Sequence, residues 1–148
     1  MTTVYVDPIG TILEPGPPAT RPLDGPGWAL VPGALDALVR LCEARYDLVI
    51  LAPAPLAALD GLGALGAIHY ASEPWAAAGR DAVQAPPERS WLVSADDAWS
   101  ERPRPPGRLT VRVGPRPPDN PRPTARFDVE VRDLAAAALE ILARDCVA

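Results

Sequence analysis

Acidic side chains stand directly after two segments whose composition is typical of β-strands. Asp7 ends the run 2–7, and Asp96 and Asp97 follow the run 90–95. Ligands of parallel sheets bind beyond the carboxyl ends of the strands, so these acids are expected at a ligand-binding edge. Carboxylates in such a position can act as nucleophiles or hold a hard cation through oxygen. For Asp96 and Asp97 the sequence also allows a structural role, in which they cap the next turn.

Other reactive residues carry weaker signals. His69 is the only histidine and lies near the end of a predicted strand, but no partner for a catalytic pair can be named, which favours a structural role. Ser94 lacks the Gly-x-Ser-x-Gly pattern of a serine nucleophile. Gly61, Gly63 and Gly66 have dinucleotide-loop spacing, yet they neither follow a strong strand nor open a helix, so no such loop is expected.

The composition excludes several kinds of chemistry. All 14 basic residues are arginine, so neither a lysine Schiff base nor an ammonium clamp is available. The net charge of -5 argues against a general nucleic-acid binder. Cys42 and Cys146 have no metal-ligand spacing, and no disulfide is expected. Without a signal-peptide pattern or an apolar run of about 18 residues, we expect a cytoplasmic protein that does not contact membranes.

Strand-like and helix-like segments alternate along the chain. This order predicts an α/β, three-layer Rossmann-like domain with a central parallel sheet of about five strands. The length of 148 residues suits a single domain over 1–148. The strands are predicted at 2–7, 47–52, 67–72, 90–95 and 109–113, with a short extra one at 127–131, and the main helices at 33–45 and 134–144.

Two segments have a biased composition. Residues 14–32 are rich in Pro and Gly and are predicted to form a loop. Residues 101–126 hold seven Arg against only Glu101 and Asp119, with many Pro. The expected structure of this second segment is a solvated, extended surface ribbon. The alternative is a strip that binds an anion or a protein partner.

Residues 4–13 (VYVDPIGTIL) resemble the first motif of the haloacid dehalogenase (HAD) phosphatase superfamily, a hydrophobic strand followed by Asp-x-Asp-Gly-Thr-Leu. Asp7, Gly10 and Thr11 match the motif, and Ile9 departs from it. The order of later segments is also similar to that family. Residues 31–38 lead into a helix and then a strand, and residues 92–97 and 106–114 resemble the fourth motif and the strand after it. The resemblance covers nearly the whole chain and implies a HAD-like domain without a cap domain.

The resemblance implies roles for individual residues. Asp7 matches the nucleophile that forms an aspartyl-phosphate. Ile9 stands where the family has the Asp that transfers protons, a loss typically worth about 10²–10⁴-fold in rate. Ala52 stands at the second motif, where a Ser or Thr donates to the phosphoryl group, and losing one such donor costs on the order of 10²–10³-fold.

The remaining motifs are also altered. The third-motif Lys is absent, and Arg80 is the nearest candidate, although its planar fork copies an ammonium poorly. Phosphate binding is therefore expected from Gly10, Thr11 and Arg80. Alignment by loop length puts Ala95 at the metal-ligand Asp of the fourth motif, and a one-residue shift puts Asp96 there. A Mg²⁺ ion, if bound, would be held by Asp7, Asp96 and Asp97.

Three hypotheses follow from this resemblance and its losses. The first is a catalytically degenerate domain, a pseudoenzyme, that acts through a protein partner or self-association. The second is a weak or unusual Mg²⁺-dependent phosphatase or phosphotransferase that uses Asp7. The third is a sensor of small anions that uses Arg80 with the turn at Gly10 and Thr11. Trp75 and Trp99, in loops beyond strand ends, either fill the pocket that a substrate would occupy or serve as core filler.

Overall fold

The computed structural model describes residues 2–15, 28–52, 59, 68–70, 89–96, 99, 107–114 and 127–147. The described elements are short strands, most of them rich in Val, Leu and Ile, and two helices. In chain order the elements are β1 (Thr3–Val6), β2 (Leu13–Pro15), β3 (Trp28–Leu30), α1 (Ala34–Glu43), β4 (Asp47–Ile50), β5 (Ile68–Tyr70), β6 (Ser90–Ser94), β7 (Arg108–Val113), β8 (Val129–Val131) and α2 (Leu134–Val147).

Within the described residues, the main sheet has six parallel strands in the order β5-β4-β1-β6-β7-β8. The α/β prediction is confirmed, and the expected number of about five strands becomes six because β8 pairs in parallel with β7. Strands β4 and β5 extend the sheet on one side of β1, whereas β6, β7 and β8 extend it on the other. The strand order therefore reverses at β1, and sheets of this type bind ligands beyond the carboxyl ends of the strands at such a point.

Helices α1 and α2 pack together with one face of the sheet. Side chains alternate between the two faces of a strand, so Val4 and Val6 of β1 point to the same side, and both are fully buried in the core cluster. Asp133 begins α2 as predicted, because its Oδ1 accepts a hydrogen bond of 2.8 Å from the Ala136 N–H. The helical side chains buried in this core are Ala34, Ala37, Leu38, Leu41, Leu134, Ala137, Ala138 and Ile141.

The opposite face of the sheet is more polar. Arg108 and Arg112 of β7 lie on this face, and each is only 5% exposed. The guanidinium of Arg108 lies 4.2 Å from the centroid of the Tyr5 ring, and its Nε donates to Ser90 Oγ at 3.0 Å. The prediction of a solvated ribbon over 101–126 is wrong for these two arginines, because both lie within β7 and are buried on the face opposite to their apolar neighbours.

The prediction of a loop over 14–32 is also wrong at its two ends. Strands β2 and β3 form a separate antiparallel pair, in which Leu13 lies opposite Leu30 and Pro15 opposite Trp28. Pro15 has no backbone N–H to donate, and it is tolerated because each strand of a two-stranded pair has one edge without ladder hydrogen bonds. In the part of the chain that the structure describes, no helix is long and apolar enough to cross a membrane.

A cluster of polar groups ties α2 to the amino end of the sheet. Asp145 Oδ2 accepts hydrogen bonds from the Tyr46 hydroxyl at 2.5 Å and from Trp91 Nε1 at 3.2 Å. Asp145 Oδ1 lies 3.2 Å from Arg89 Nε in an ion pair without hydrogen-bond geometry. Burial, together with the hydrogen bond to Asp145, raises the pKa of the Tyr46 hydroxyl well above its ordinary value. The cluster fixes the end of the sheet that is opposite to the predicted site.

Candidate functional site

Asp7 lies at the carboxyl end of β1, between the ends of β4 and β6. Its N–H donates to the Val93 carbonyl at 2.9 Å, and on the other side the Leu51 N–H donates to the Val6 carbonyl at 2.9 Å. Both ladders thus continue to the tip of β1 and hold the backbone of Asp7 in place. The position is the one that the sequence predicts for a ligand-binding acid in a parallel sheet.

The chain after Asp7 folds into a tight turn. Gly10 has a φ of +84°, and a Cβ added there would lie 2.8 Å from the Ala95 Cβ, so this position requires glycine. The Gly10 N–H donates to the Leu13 carbonyl at 2.7 Å, and the buried Thr11 hydroxyl donates to the backbone carbonyl of Asp7. The donors of Gly10 and Thr11 are thus used within the turn. Phosphate binding by these residues stays a prediction, and these contacts do not support it.

The side chain of Asp7 is held by two neutral donors. Its Oδ2 accepts hydrogen bonds from Ser94 Oγ at 2.9 Å and from Trp99 Nε1 at 3.0 Å. We call this pair of donors the donor clamp. Asp7 Oδ1 accepts only a long bond of 3.4 Å from the Ile9 N–H among the hydrogen bonds described. The clamp brings the loop after β6 onto the tip of β1.

The orientation of the Ser94 hydroxyl follows from its second contact. Ser94 is fully buried, and its Oγ accepts a hydrogen bond of 3.0 Å from the Asp96 N–H. A hydroxyl has a single hydrogen, which here is directed to Asp7. The sequence pattern around Ser94 argued against a nucleophile and did not predict this role as a donor to Asp7. One signal was available, the place of Ser94 at the end of β6. Val93 pairs with Val6 in the register of β6 and β1, so the residues that follow them, Ser94 and Asp7, lie side by side.

Two hydrophobic residues border Asp7 where the family pattern has polar ones. Ile9 is 48% exposed, so an aliphatic side chain faces solvent two residues after the acid. Ala52, just after β4, is buried, and its N–H already donates to the Ile50 carbonyl at 2.9 Å. Neither side chain can donate a hydrogen bond or move a proton.

Within the described residues the predicted Mg²⁺ site is incomplete, because Asp97, one of its three expected ligands, lies outside them. Asp96 is exposed, and the described contact to the site comes from its backbone N–H. Ala95, the alternative at the fourth motif, brings a methyl group to Gly10 instead of a carboxylate. Within the described ranges, no group of three His, Cys, Asp or Glu side chains is arranged to hold a metal. Asp97, Arg80 and Trp75 lie outside the described residues, as do Gly61, Gly63 and Gly66.

The remaining reactive side chains lie away from Asp7. His69 is exposed on β5, which β4 separates from β1. Cys42 lies on α1, and burial together with the charge of Glu43 raises the pKa of its thiol, which keeps it in the unreactive form at neutral pH. Cys146 is exposed near the end of α2.

Comparison with known proteins gives matches of structure only. No protein-family model matches the chain, and no curated protein does. An uncharacterized protein from Listeria monocytogenes serotype 4b superimposes with a TM-score of 0.61 and 17% identity, over 98% of this chain and 99% of that one. A D,D-heptose 1.7-bisphosphate phosphatase from B. bronchiseptica, solved with magnesium and phosphate, gives a TM-score of 0.59 and 18% identity, over 97% and 99%. The fold is therefore α/β, Rossmann-like and HAD-like.

Proposed function

We propose that this chain is a HAD-like domain that has lost catalysis and acts by binding a protein partner or a second copy of itself. The observation that carries the proposal is the donor clamp on Asp7 Oδ2, formed by Ser94 at 2.9 Å and Trp99 at 3.0 Å. Hydrogen bonds to a carboxylate stabilise its charged form, and these two occupy the lone pairs of Oδ2, one of its two oxygens. A carboxylate held in this way serves as a structural acceptor.

Of the residues around Asp7 that the structure describes, Ile9 and Ala52 offer no compensating chemistry. Ile9 has no proton to give to a leaving group, which alone costs about 10²–10⁴-fold in rate where such an acid is required. Ala52 has no side-chain donor for developing negative charge, a loss on the order of 10²–10³-fold. Such effects are not additive, but even part of their product leaves little turnover.

Two exposed aliphatic side chains support a binding role. Ile9 and Leu30 are 48% and 37% exposed. They are joined through Leu13, which forms a bridge with Ile9 and pairs with Leu30. Hydrophobic side chains beside the end of β1 suit contact with a protein surface better than contact with a charged phosphoester.

The test of the proposal is turnover on a broad panel of phosphoesters with Mg²⁺, using wild type and the Asp7→Asn variant side by side. We expect the two proteins to give the same background rate, since Asp7 does no chemistry. Light scattering over a range of concentrations, with Leu30→Glu as the matched variant, measures self-association. Hydrolysis by wild type that disappears in Asp7→Asn contradicts the loss of catalysis.

A second candidate is a weak Mg²⁺-dependent phosphoester hydrolase or phosphotransferase with Asp7 as nucleophile. Two observations favour it: the position of Asp7 at the carboxyl end of the central strand, and the structural likeness to a phosphatase solved with magnesium and phosphate. The same phosphoester panel tests this candidate. It requires a rate that depends on both Mg²⁺ and Asp7, and a panel without such a rate counts against it.

A further inference from the structure

We infer that the outer edge of β3 (Trp28–Leu30) pairs antiparallel with the same edge of a second copy, so that two chains form a symmetric dimer. The inference rests on the proposed function and deepens it, because it names the second copy as the partner and β3 as the strand that binds it. Its basis is a difference between the two outer edges of the β2–β3 pair, of which one is closed and the other open.

The register of the pair determines which backbone groups point outward. The Val31 N–H donates to the Ile12 carbonyl at 2.8 Å, so these two residues form a hydrogen-bonded pair. Hydrogen-bonded and non-hydrogen-bonded pairs alternate along an antiparallel ladder, which makes Leu13 and Leu30 a non-hydrogen-bonded pair. The N–H and C=O groups of Leu13 and Leu30 therefore point away from the partner strand.

The outer edge of β2 is closed. The outward Leu13 N–H donates to the Pro8 carbonyl at 2.9 Å, and the Leu13 carbonyl accepts a hydrogen bond of 2.7 Å from the Gly10 N–H. Pro15, the next outward residue of β2, has no N–H to donate. The turn after β1 thus occupies this edge and leaves no ladder for another strand.

The outer edge of β3 is open. Among the described residues, the outward N–H and C=O groups of Leu30 have no hydrogen-bond partner, and the side chains of Ala29 and Leu30 are exposed. β3 contains no charged residue and no Pro, the features with which proteins commonly protect an exposed edge. An edge of this kind is a template to which a further strand can add.

The edge is complementary to itself, which favours a second copy over another partner. A two-fold axis at Ala29 pairs Leu30 of each copy with Trp28 of the other, and the backbone groups of both residues point outward in the register of β3. Ala29 then lies opposite its own copy, where the small methyl groups allow Cβ atoms to approach to about 4.5–5.5 Å. Glu14, which pairs with Ala29, lies about 14 Å from its copy, beyond the screening length of about 10 Å.

The test is a charge exchange at Ala29, followed by sedimentation at low salt. Ala29→Lys and Ala29→Glu are measured separately and as an equimolar mixture, and both carry Glu14→Gln because Glu14 would otherwise pair with or repel the new charge. Glu14→Gln alone is the matched control and is expected to dimerise as wild type does. Ala29 is exposed, so neither substitution at this position introduces a charge into the core.

We expect wild type to form a weak dimer with a Kd of about 10–1,000 µM, because strands this short bury less area than a standard interface. Each charged variant alone places like charges opposite each other across the axis and should dimerise about fivefold more weakly than the control. The mixture places Lys opposite Glu and should dimerise at least as tightly as the control.

Amide hydrogen exchange of wild type keeps the inference testable if the charged variants do not fold. The Leu30 N–H should exchange slowly at high protein concentration and quickly after dilution, because only the dimer gives it an acceptor. Wild type that stays monomeric to about 1 mM overturns the inference and leaves the proposed function to a protein partner. A dimer that ignores the charge at position 29, is not restored by mixing, or leaves Leu30 unprotected also overturns the inference, while its self-association supports the proposed function. Phosphoester hydrolysis that depends on Asp7 contradicts the proposed function alone.

Discussion

Replacing Asp7 with Ala is expected to destabilise the fold. In this structure Asp7 is the acceptor for the fully buried Ser94 hydroxyl and for the half-buried Trp99 indole. In a working active site, an acid is kept for chemistry, and its removal commonly leaves stability unchanged or raises it. The sign of the change therefore distinguishes a structural carboxylate from a catalytic one.

The size of the effect follows from burial. The Ser94 hydroxyl is fully buried, so the loss of its acceptor leaves an unsatisfied donor at about 1–3 kcal/mol. The Trp99 indole is half-buried and can donate to water in the variant, so its share is smaller. For the two lost hydrogen bonds together, we expect a fall of about 2–3 kcal/mol in the free energy of unfolding, or roughly 5–10 °C in Tm for a chain of this size.

Urea unfolding and thermal melting measure this change directly. Asp47→Ala, a half-buried acid at the opposite end of the neighbouring strand β4, serves as the matched control and is expected to change stability by about 0.5 kcal/mol or less. In Asp7→Ala/Ser94→Ala the buried donor is gone, and much of the loss should be recovered. Equal or greater stability in Asp7→Ala than in wild type refutes the structural role.

The remaining predictions concern the turn after β1, the amino end of the sheet and anion binding. Gly10→Ala is expected to destabilise the fold by more than about 2 kcal/mol, because the residue has a left-handed φ and its added Cβ would lie 2.8 Å from the Ala95 Cβ. Adding Ala95→Gly should restore the steric share of this loss. Gly114→Ala is the control for the conformational share alone, because Gly114 has a φ of +102° and open space around it. Tyr46→Phe should lower stability by about 1–2 kcal/mol at neutral pH. Folding raises the pKa of the Tyr46 hydroxyl, so the stabilisation that Tyr46 provides is full below the ordinary tyrosine pKa and falls as the pH rises past that value. Tyr46→Phe should therefore flatten the decline of the unfolding free energy at alkaline pH. Phosphate and sulfate should leave Tm unchanged, and a clear rise with either ion supports an anion sensor.

The periodicity of the sequence predicted most of the fold. Runs such as 47–52 and 90–95 are short, apolar and bounded by turn residues, and they became parallel strands because buried parallel strands carry that pattern. The pairing of β2 with β3 was missed because Pro and Gly dominate the segment, and a short antiparallel ladder depends on backbone partners that local composition does not reveal. Arg108 and Arg112 were misjudged because burial of a long charged side chain depends on tertiary contacts.

The candidate site was predictable only in part. The position of Asp7 followed from strand order, since acids after parallel strands share one edge of the sheet. The donor clamp did not, because Trp99 meets Asp7 across a sequence separation of 92 residues, and only the fold brings the two loops together. The contact of Ser94 was easier to predict, because Ser94 directly follows Val93 and lies beside the end of β1.

The central claim is that Asp7 does not take part in phosphoryl transfer. Thermal melting with Mg²⁺ and beryllium fluoride, which mimics an aspartyl-phosphate, tests it most directly. We predict the same Tm with and without these additives in wild type. A stabilisation of several degrees that disappears in Asp7→Asn would contradict the account, because it requires Asp7 to accept a phosphoryl-like group together with a metal ion.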